Sequence, residues 1–286
     1  MPSAPFTLHR PNLPNAPVIL ASPHSGRCYE LRFLRASILN EVQIRSSEDA
    51  YVDLLIENAP SEGIPLLLAE APRAFVDLNR ASEELDPALI RGLPRGTLNP
   101  RVSSGLGVIP RVVANGRAIY RGKISRDEAE RRLSEIWRPY HNALRSLMEE
   151  THVQFGQAIL IDMHSMPHEA IESVTQSGQR PPQIVLGDRF GAACAAGIMD
   201  QVQAIFEAEG LRVARNAPFA GAYVTQTYGR PTHGKHALQI EIDRSLYLDE
   251  ANVRPNAEYA GFRELMHRVV TQLARLGDTV VSLAAE

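Results

Sequence analysis

The chain has 286 residues, enough to bury one large hydrophobic core or two small ones. Hydrophobic residues make up 44% and charged residues 22%, ordinary values for a globular protein, and the net charge of -3 argues against a basic nucleic-acid surface. No stretch approaches the roughly 18 apolar residues of a membrane span, the first residues lack a signal-peptide pattern, and Cys28 and Cys194 suggest no disulfide framework, so the expected setting is cytoplasmic, with neither membrane nor nucleic acid as partner.

Residues 1–16 are Pro-rich and read as surface. Pro17 to Ser22 is a short apolar run that leads into Pro23-His24-Ser25-Gly26, a buried strand delivering a histidine at its end. Apolar residues at Leu31, Leu34, Ile38, Leu39 and Val42 predict one helix, and Ser46 with Asp49 three residues later predicts a capped helix from about Glu48 to Ala59. A helix start is reason enough for Glu48 and Asp49, because acidic side chains favour the first turn. Ile64 to Ala69 and Arg73 to Leu78 are strand candidates, the second ending in Asn79-Arg80. Residues 81–106, rich in Gly, Pro and Ser, form a loop of functional length. Asn115-Gly116 between β-rich flanks predicts a hairpin within Val108 to Tyr120.

Ser125 with Glu128 marks a second capped start, opening a long helix to about His152 that Pro139 should kink or split. His141 stands near its apolar stripe and reads as a packed histidine. Ala158 to Ile161 is apolar throughout, as in a strand covered on both faces, and is followed by Asp162, His164 and Ser165. Ile184 to Gly187, Leu211 to Ala214 and Ala222 to Gln226 are further strand candidates, Gly191 to Glu209 is a helix stopped by Gly210, and Pro255 to Leu276 is the closing helix. Between them lie a polar loop, T-Y-G-R-P-T-H-G-K-H, and the alternating strand Ala237 to Ile242, which carries Glu241. With no repeat or linker, residues 1–286 read as a single α/β domain.

His24, Asn79-Arg80 and His164 fall at predicted strand ends, where open α/β sheets bind ligands. Two histidines and a carboxylate with an open fourth position make a catalytic zinc site, and a further carboxylate can act as general base. Ser25 and Ser165 lack a nucleophile elbow and read as hydrogen-bonding support, as does Asp162 for a histidine.

In order along the chain, P-H-S-G (23–26), D-L-N-R (77–80), IWRPYH (136–141), D-M-H-S (162–165) and the stretch from Tyr228 to Glu241 resemble the N-formylglutamate amidohydrolase family. The resemblance implies a three-layer αβα sandwich with a central mixed, mostly parallel sheet, as in the zinc carboxypeptidases and aspartoacylases. It also implies an amidohydrolase acting on N-formyl-L-glutamate or a similar small N-acyl amino acid, with a divalent metal, zinc by expectation. Those relatives place their carboxylate ligand three residues after the first histidine; here Arg27 stands there, so the resemblance points to Asp49, with Glu48 the alternative. The implied metal ligands are therefore His24, Asp49 and His164, and the implied general base is Glu241. Asn79 and Arg80 are the implied contacts to a substrate carboxylate, Arg111 and Arg230 are candidate second cations, and His236 is preferred over His233 among the loop histidines. A binding protein without catalysis, and a deacylase or peptidase of other N-acyl amino acids, are the competing readings.

Overall fold

The computed structural model describes residues 4–276 apart from 95–98, 174, 176–177 and 179, so part of the expected 81–106 loop and the ends of the expected 1–286 domain lie outside the described residues. The strands, in chain order, are β1 (Phe6–His9), β2 (Val18–Ser22), β3 (Leu66–Ala69), β4 (Val112–Val113), β5 (Arg117–Ala118), β6 (Ala158–Met166), β7 (Ile184–Gly187), β8 (Val213–Arg215), β9 (Lys235–Asp243), β10 (Leu248–Asp249) and β11 (Arg254–Pro255). Seven of them form one sheet in the order β1-β3-β2-β6-β9-β7-β8, and β4–β5 and β10–β11 are separate ribbons. The β3–β2, β2–β6, β6–β9 and β7–β8 ladders are parallel, whereas β1–β3 and β7–β9 are antiparallel. This is the mixed, mostly parallel sheet that the resemblance implied.

Alternation along the central strands explains the three layers. Val18, Leu20, Ile159, Ile161, Met163, Leu238, Ile240 and Ile242 point to one face, packed under the helices Val52–Leu55, Ala196–Ala208 and Tyr259–Leu273. Ile19, Ala21, Leu160 and Ala237 point to the other, against Tyr140, Leu144 and Leu147 of the helix Arg138–Phe155. Each fully buried Ile or Leu contributes about 1.5–3 kcal/mol, so both faces are strongly held. On the second face the alternation continues into polar residues: Asp162 and His164 follow Leu160 on β6, and Gln239 and Glu241 follow Ala237 on β9. Asp162 pairs in register with Gln239 and His164 with Glu241. The C-terminal half of that face is thus polar, buried and beyond the apolar patch beneath the helix.

Several elements differ from their expected form, each for a local reason. Residues 6–9 of the Pro-rich start add an antiparallel edge strand to β3. The expected helix over Leu31 to Val42 is two, Leu31–Ala36 and Glu41–Arg45, because Ser37 bridges to Tyr120 and Asn40 caps the second through a reciprocal bond with Gln43. The Glu48 to Ala59 helix shrinks to Val52–Leu55; Tyr51 is left-handed at φ 65°, and the Ser46 hydroxyl donates back to Gln43 instead of capping forward. Arg73 to Leu78 is a series of turns, not a strand, with Asp77 N–H donating to Val108 O across the loop. Ala222 to Gln226 is not a strand either: Tyr223–Tyr228 is a short helix whose Val224 N–H donates to the Asn79 amide oxygen at 2.8 Å. The hairpin forms as expected, with Asn115 at φ 60° and Gly116 at φ 67° between β4 and β5. Pro139 does split its helix: a π-helical turn, Leu133–Trp137, separates Arg126–Arg132 from Arg138–Phe155, widening the backbone where the proline ring would meet the carbonyl four residues back. Among the described residues no helix is long and apolar enough to cross a membrane.

Candidate metal centre and substrate cavity

The polar half of the sheet faces a cavity of about 540 Å³. β2 delivers His24 just past its end, β6 carries Asp162 and His164, and β9 carries Gln239 and Glu241. Asp49 arrives from the turn before Tyr51, where its N–H donates to His24 O at 3.0 Å and ties that turn to the end of β2.

Three side-chain atoms converge. His164 Nδ1 stands 3.1 Å from His24 Nδ1 and 2.9 Å from Asp49 Oδ2, and His24 Nδ1 stands 3.4 Å from the same oxygen. All three residues are buried, and one ligand atom from each lies within 4.8 Å of the others. The far side of each ring is held by a carboxylate: His24 Nε2 meets Asp77 Oδ1 at 2.7 Å and His164 Nε2 meets Asp162 Oδ2 at 2.9 Å. A carboxylate at Nε2 favours the tautomer with its proton there, leaving both Nδ1 lone pairs facing each other and Asp49. Three acceptors around one point call for a cation between them. The site's electrostatics agree. Burial disfavours charge on His164, yet Asp162, Asp49 and Glu241 together raise its pKa well above the ordinary value. Burial would raise Asp49, but its bonds to His164 and His24 hold it well below the usual carboxylate range. The donor set, two imidazoles and a carboxylate, fits a divalent metal, so the residues can hold the ion the sequence implied.

Asp49 occupies this centre and Glu48 does not: the Glu48 carboxylate pairs with Arg45 at 3.1 Å. The second oxygen of Asp49 accepts from Arg244 Nη2 at 3.1 Å, and Arg244 Nε donates to Ser165 Oγ at 3.0 Å. Ser165 therefore stands beside the centre as hydrogen-bonding support, while the Ser25 hydroxyl lies 3.5 Å from Ser22 O. Glu241 lines the cavity next to the centre, 9% exposed, with Oε1 accepting from Gln239 Nε2 at 2.8 Å. Burial pushes its carboxyl up to about 7, against the pull of His164 and with the charge of Asp49 adding to the rise. A carboxylate with that value, near a metal-ligand centre and open to a cavity, is suited to proton transfer at neutral pH.

The remaining candidates divide. Asn79 lines the cavity, but its amide is occupied by the protein: the oxygen takes Val224 N–H, and the nitrogen donates to Gln239 Oε1 at 3.2 Å. Arg80 lines the cavity, buried, with Nε donating to Leu106 O and Nη1 to Asn79 O. Arg111 stands outside the lining, paired with Asp86 Oδ2 at 2.8 Å. Arg230 turns its guanidinium to Gln226 O and Gly229 O. His236 lies at the opposite end of β9, in register with Ile159, where its Nδ1 accepts from Ala195 N–H. His233 is exposed, bonded to Thr232. His141 is packed as expected, with Nε2 on Leu78 O at 3.0 Å and Nδ1 against Tyr228 Oη at 2.9 Å.

Residues not singled out from the sequence complete the site. Asp77 orients His24 and also holds Arg73 Nε at 3.1 Å. Gln239 links Asn79 to Glu241, and Arg73, Arg101 and Arg244 join Arg80 as cavity cations. Gln239 had a readable signal, since it shares the polar phase of A-L-Q-I-E-I with Glu241; Arg101 and Arg244 had none.

Comparison with known proteins bears out the resemblance. Residues 16–248 match the sequence profile of a family described as N-formylglutamate amidohydrolase. The N-formylglutamate deformylase of Pseudomonas aeruginosa is 29% identical over 265 residues, 90% of this chain and 91% of that one. The deformylase of the same name from Pseudomonas putida is 29% identical over 244 residues, 82% of each chain. The crystal structure of an N-formylglutamate amidohydrolase from Ralstonia eutropha shares the fold at a TM-score of 0.89 and 34% identity, over 97% of this chain and 99% of that one. The chain belongs to the N-formylglutamate amidohydrolase family and is a hydrolase of carbon–nitrogen amide bonds.

Proposed function

We propose that the protein hydrolyses the formyl amide of N-formyl-L-glutamate, adding water across the C–N bond to release formate and L-glutamate. The observation that carries this reading is the convergence of His24 Nδ1, His164 Nδ1 and Asp49 Oδ2 on one point beside the buried Glu241. The names of the Pseudomonas and Ralstonia relatives supply the substrate. His24, Asp49 and His164 would hold the ion, and zinc suits two imidazoles and one carboxylate. When bound, a divalent ion there supplies Lewis acidity to the amide carbonyl and to water.

The chain's own residues do the rest. Glu241 accepts the proton of the attacking water and delivers it to the departing amide nitrogen, a role that typically contributes 10²–10⁴-fold in rate. Asp77 and Asp162 keep the two imidazoles in one tautomer and orientation. Arg80, its guanidinium braced by Leu106 O and Asn79 O, pairs with a substrate carboxylate as a planar fork. Asn79 acts one step back, linking the Tyr223–Tyr228 helix to Gln239 and hence to Glu241.

The experiment is a hydrolysis panel of N-formyl and N-acetyl amino acids, with and without added zinc, read by formate or amine release. Fastest turnover on N-formyl-L-glutamate, dependent on a metal, is the expected result. A preference for acetylated substrates contradicts the deformylase reading. No hydrolysis of any substrate together with no stoichiometric metal favours a binding protein that kept the pocket.

A further inference from the structure

Charge inside the cavity is unevenly balanced. Four arginines line it, Arg73, Arg80, Arg101 and Arg244. Two are already neutralised: Arg73 Nε lies 3.1 Å from Asp77 Oδ2, and Arg244 Nη2 lies 3.1 Å from Asp49 Oδ1. Among the described residues neither Arg80 nor Arg101 has a carboxylate at ion-pair distance. The two unpaired cations also feel one another. Burial lowers the Arg80 pKa, Asp77 opposes the fall, and the charges of Arg73 and Arg101 add to it. A cavity with two surplus guanidinium groups is complementary to a ligand with two carboxylates.

Their placement distinguishes them. Arg80 is buried and follows Asn79, whose amide nitrogen lies 3.3 Å from His164 Nε2, so it stands on the metal-centre side. Arg101 is exposed and lines the cavity wall formed by the one-turn helix Pro100–Ser103. That wall is anchored: Asn99 accepts Val102 N–H at 2.9 Å and donates to Glu84 at 3.1 Å, and Val102 is buried. Leu106 N–H donates to Arg101 O at 2.8 Å while Leu106 O accepts from Arg80 Nε at 3.2 Å, so one residue couples both arginines to the same loop. Arg111 and Arg230, the second cations expected from sequence, are bound elsewhere.

We infer that Arg101 determines specificity by pairing with the side-chain carboxylate of the substrate, while Arg80 takes the carboxylate next to the scissile amide. This rests on the proposed deformylase reading for the identity of the reacting bond, but not for the clamp itself. The test compares wild type with Arg101→Gln in two assays. In the first, kcat/KM is measured for N-formyl-L-glutamate and N-formyl-L-glutamine. In the second, calorimetry gives the affinities for L-glutamate and L-glutamine, which need no turnover. A charge-assisted pair predicts a wild-type glutamate-to-glutamine ratio of about 10- to 100-fold in both assays, toward the lower end because Arg101 is open to water. In Arg101→Gln both ratios fall to near one. Among the described residues the Arg101 side chain makes no hydrogen bond or ion pair with the fold, so the variant retains its structure. A wild-type ratio near one, or a ratio that survives the substitution, overturns the clamp even if N-formyl-L-glutamate is hydrolysed. If no N-formyl amino acid is hydrolysed but the calorimetric ratio collapses in the variant, the reaction reading fails and the clamp stands.

Discussion

Acidification should unfold this protein partly through His141. The ring is buried under Trp137 and Tyr140, donating or accepting at both nitrogens with Leu78 O and Tyr228 Oη. Burial pushes its pKa from 6.5 down to about 4, against the pull of the Leu78 carbonyl. An unfolded chain binds the proton near pH 6.5 and the native state only near 4, so stability falls as pH drops through that window and is fully present above it. A pKa lowered from 6.5 to about 4 corresponds to about 3 kcal/mol at full effect, and to about 2 kcal/mol by pH 5. The perturbation is His141→Gln, which keeps polar contacts and cannot titrate. Urea unfolding of both proteins at pH 7 and pH 5, with chelator present so that metal release does not enter, gives a double difference in which other groups cancel. Wild type should lose about 2 kcal/mol more than the variant between these pH values. Equal losses would refute the assignment of a neutral, buried His141.

The other residues yield sharper tests of the site. Asp77→Asn leaves His24 in place but weakens the hold on its Nε2–H, and should reduce metal affinity by about 10- to 100-fold, read by competition with a chromogenic chelator; unaltered affinity would remove Asp77 from the orienting role. Arg80→Lys keeps the charge but loses the fork that Leu106 O and Asn79 O brace, and should lower kcat/KM on N-formyl-L-glutamate by about tenfold or more; wild-type efficiency would take Arg80 out of the site.

What could be read from the sequence follows from the range of the forces involved. Short apolar runs such as Val18–Ser22 and Ile184–Gly187 declare themselves because burial on both faces needs every side chain apolar. The strand-end histidines and the phase of Glu241 were legible for the same reason: strand periodicity fixes which side chains share a face. Arg73 to Leu78 imitates a strand because its apolar residues are buried, but loops hold it there, with Asp77 N–H reaching Val108. The Tyr223–Tyr228 helix was invisible, being too short for a 3.6-residue period to show and donating its N-terminal Val224 N–H to the Asn79 amide oxygen, 145 residues away in the chain. Tyr51 in a left-handed conformation similarly defeats the helix that Ser46 and Asp49 suggested, and it is this break that frees Asp49 to face the histidines. The cationic balance of the cavity depends on which arginines find carboxylates, and pairs such as Arg244 with Asp49, 195 residues apart, exist only in the folded chain.

The central claim is that His24, Asp49 and His164 bind the metal while Glu241 moves the proton. Metal content and turnover, measured on the same preparations of Glu241→Gln and His164→Ala, test it most directly. Glu241→Gln is nearly isosteric and keeps a hydrogen-bonding partner for Gln239, but cannot accept a proton, so it should retain its metal and lose about 10²–10⁴-fold in turnover. His164→Ala removes one of the three converging donors and should lose the metal itself. If Glu241→Gln loses metal as completely as His164→Ala, Glu241 is a ligand and the role given to Asp49 falls; if it keeps full activity, the proton-transfer mechanism falls.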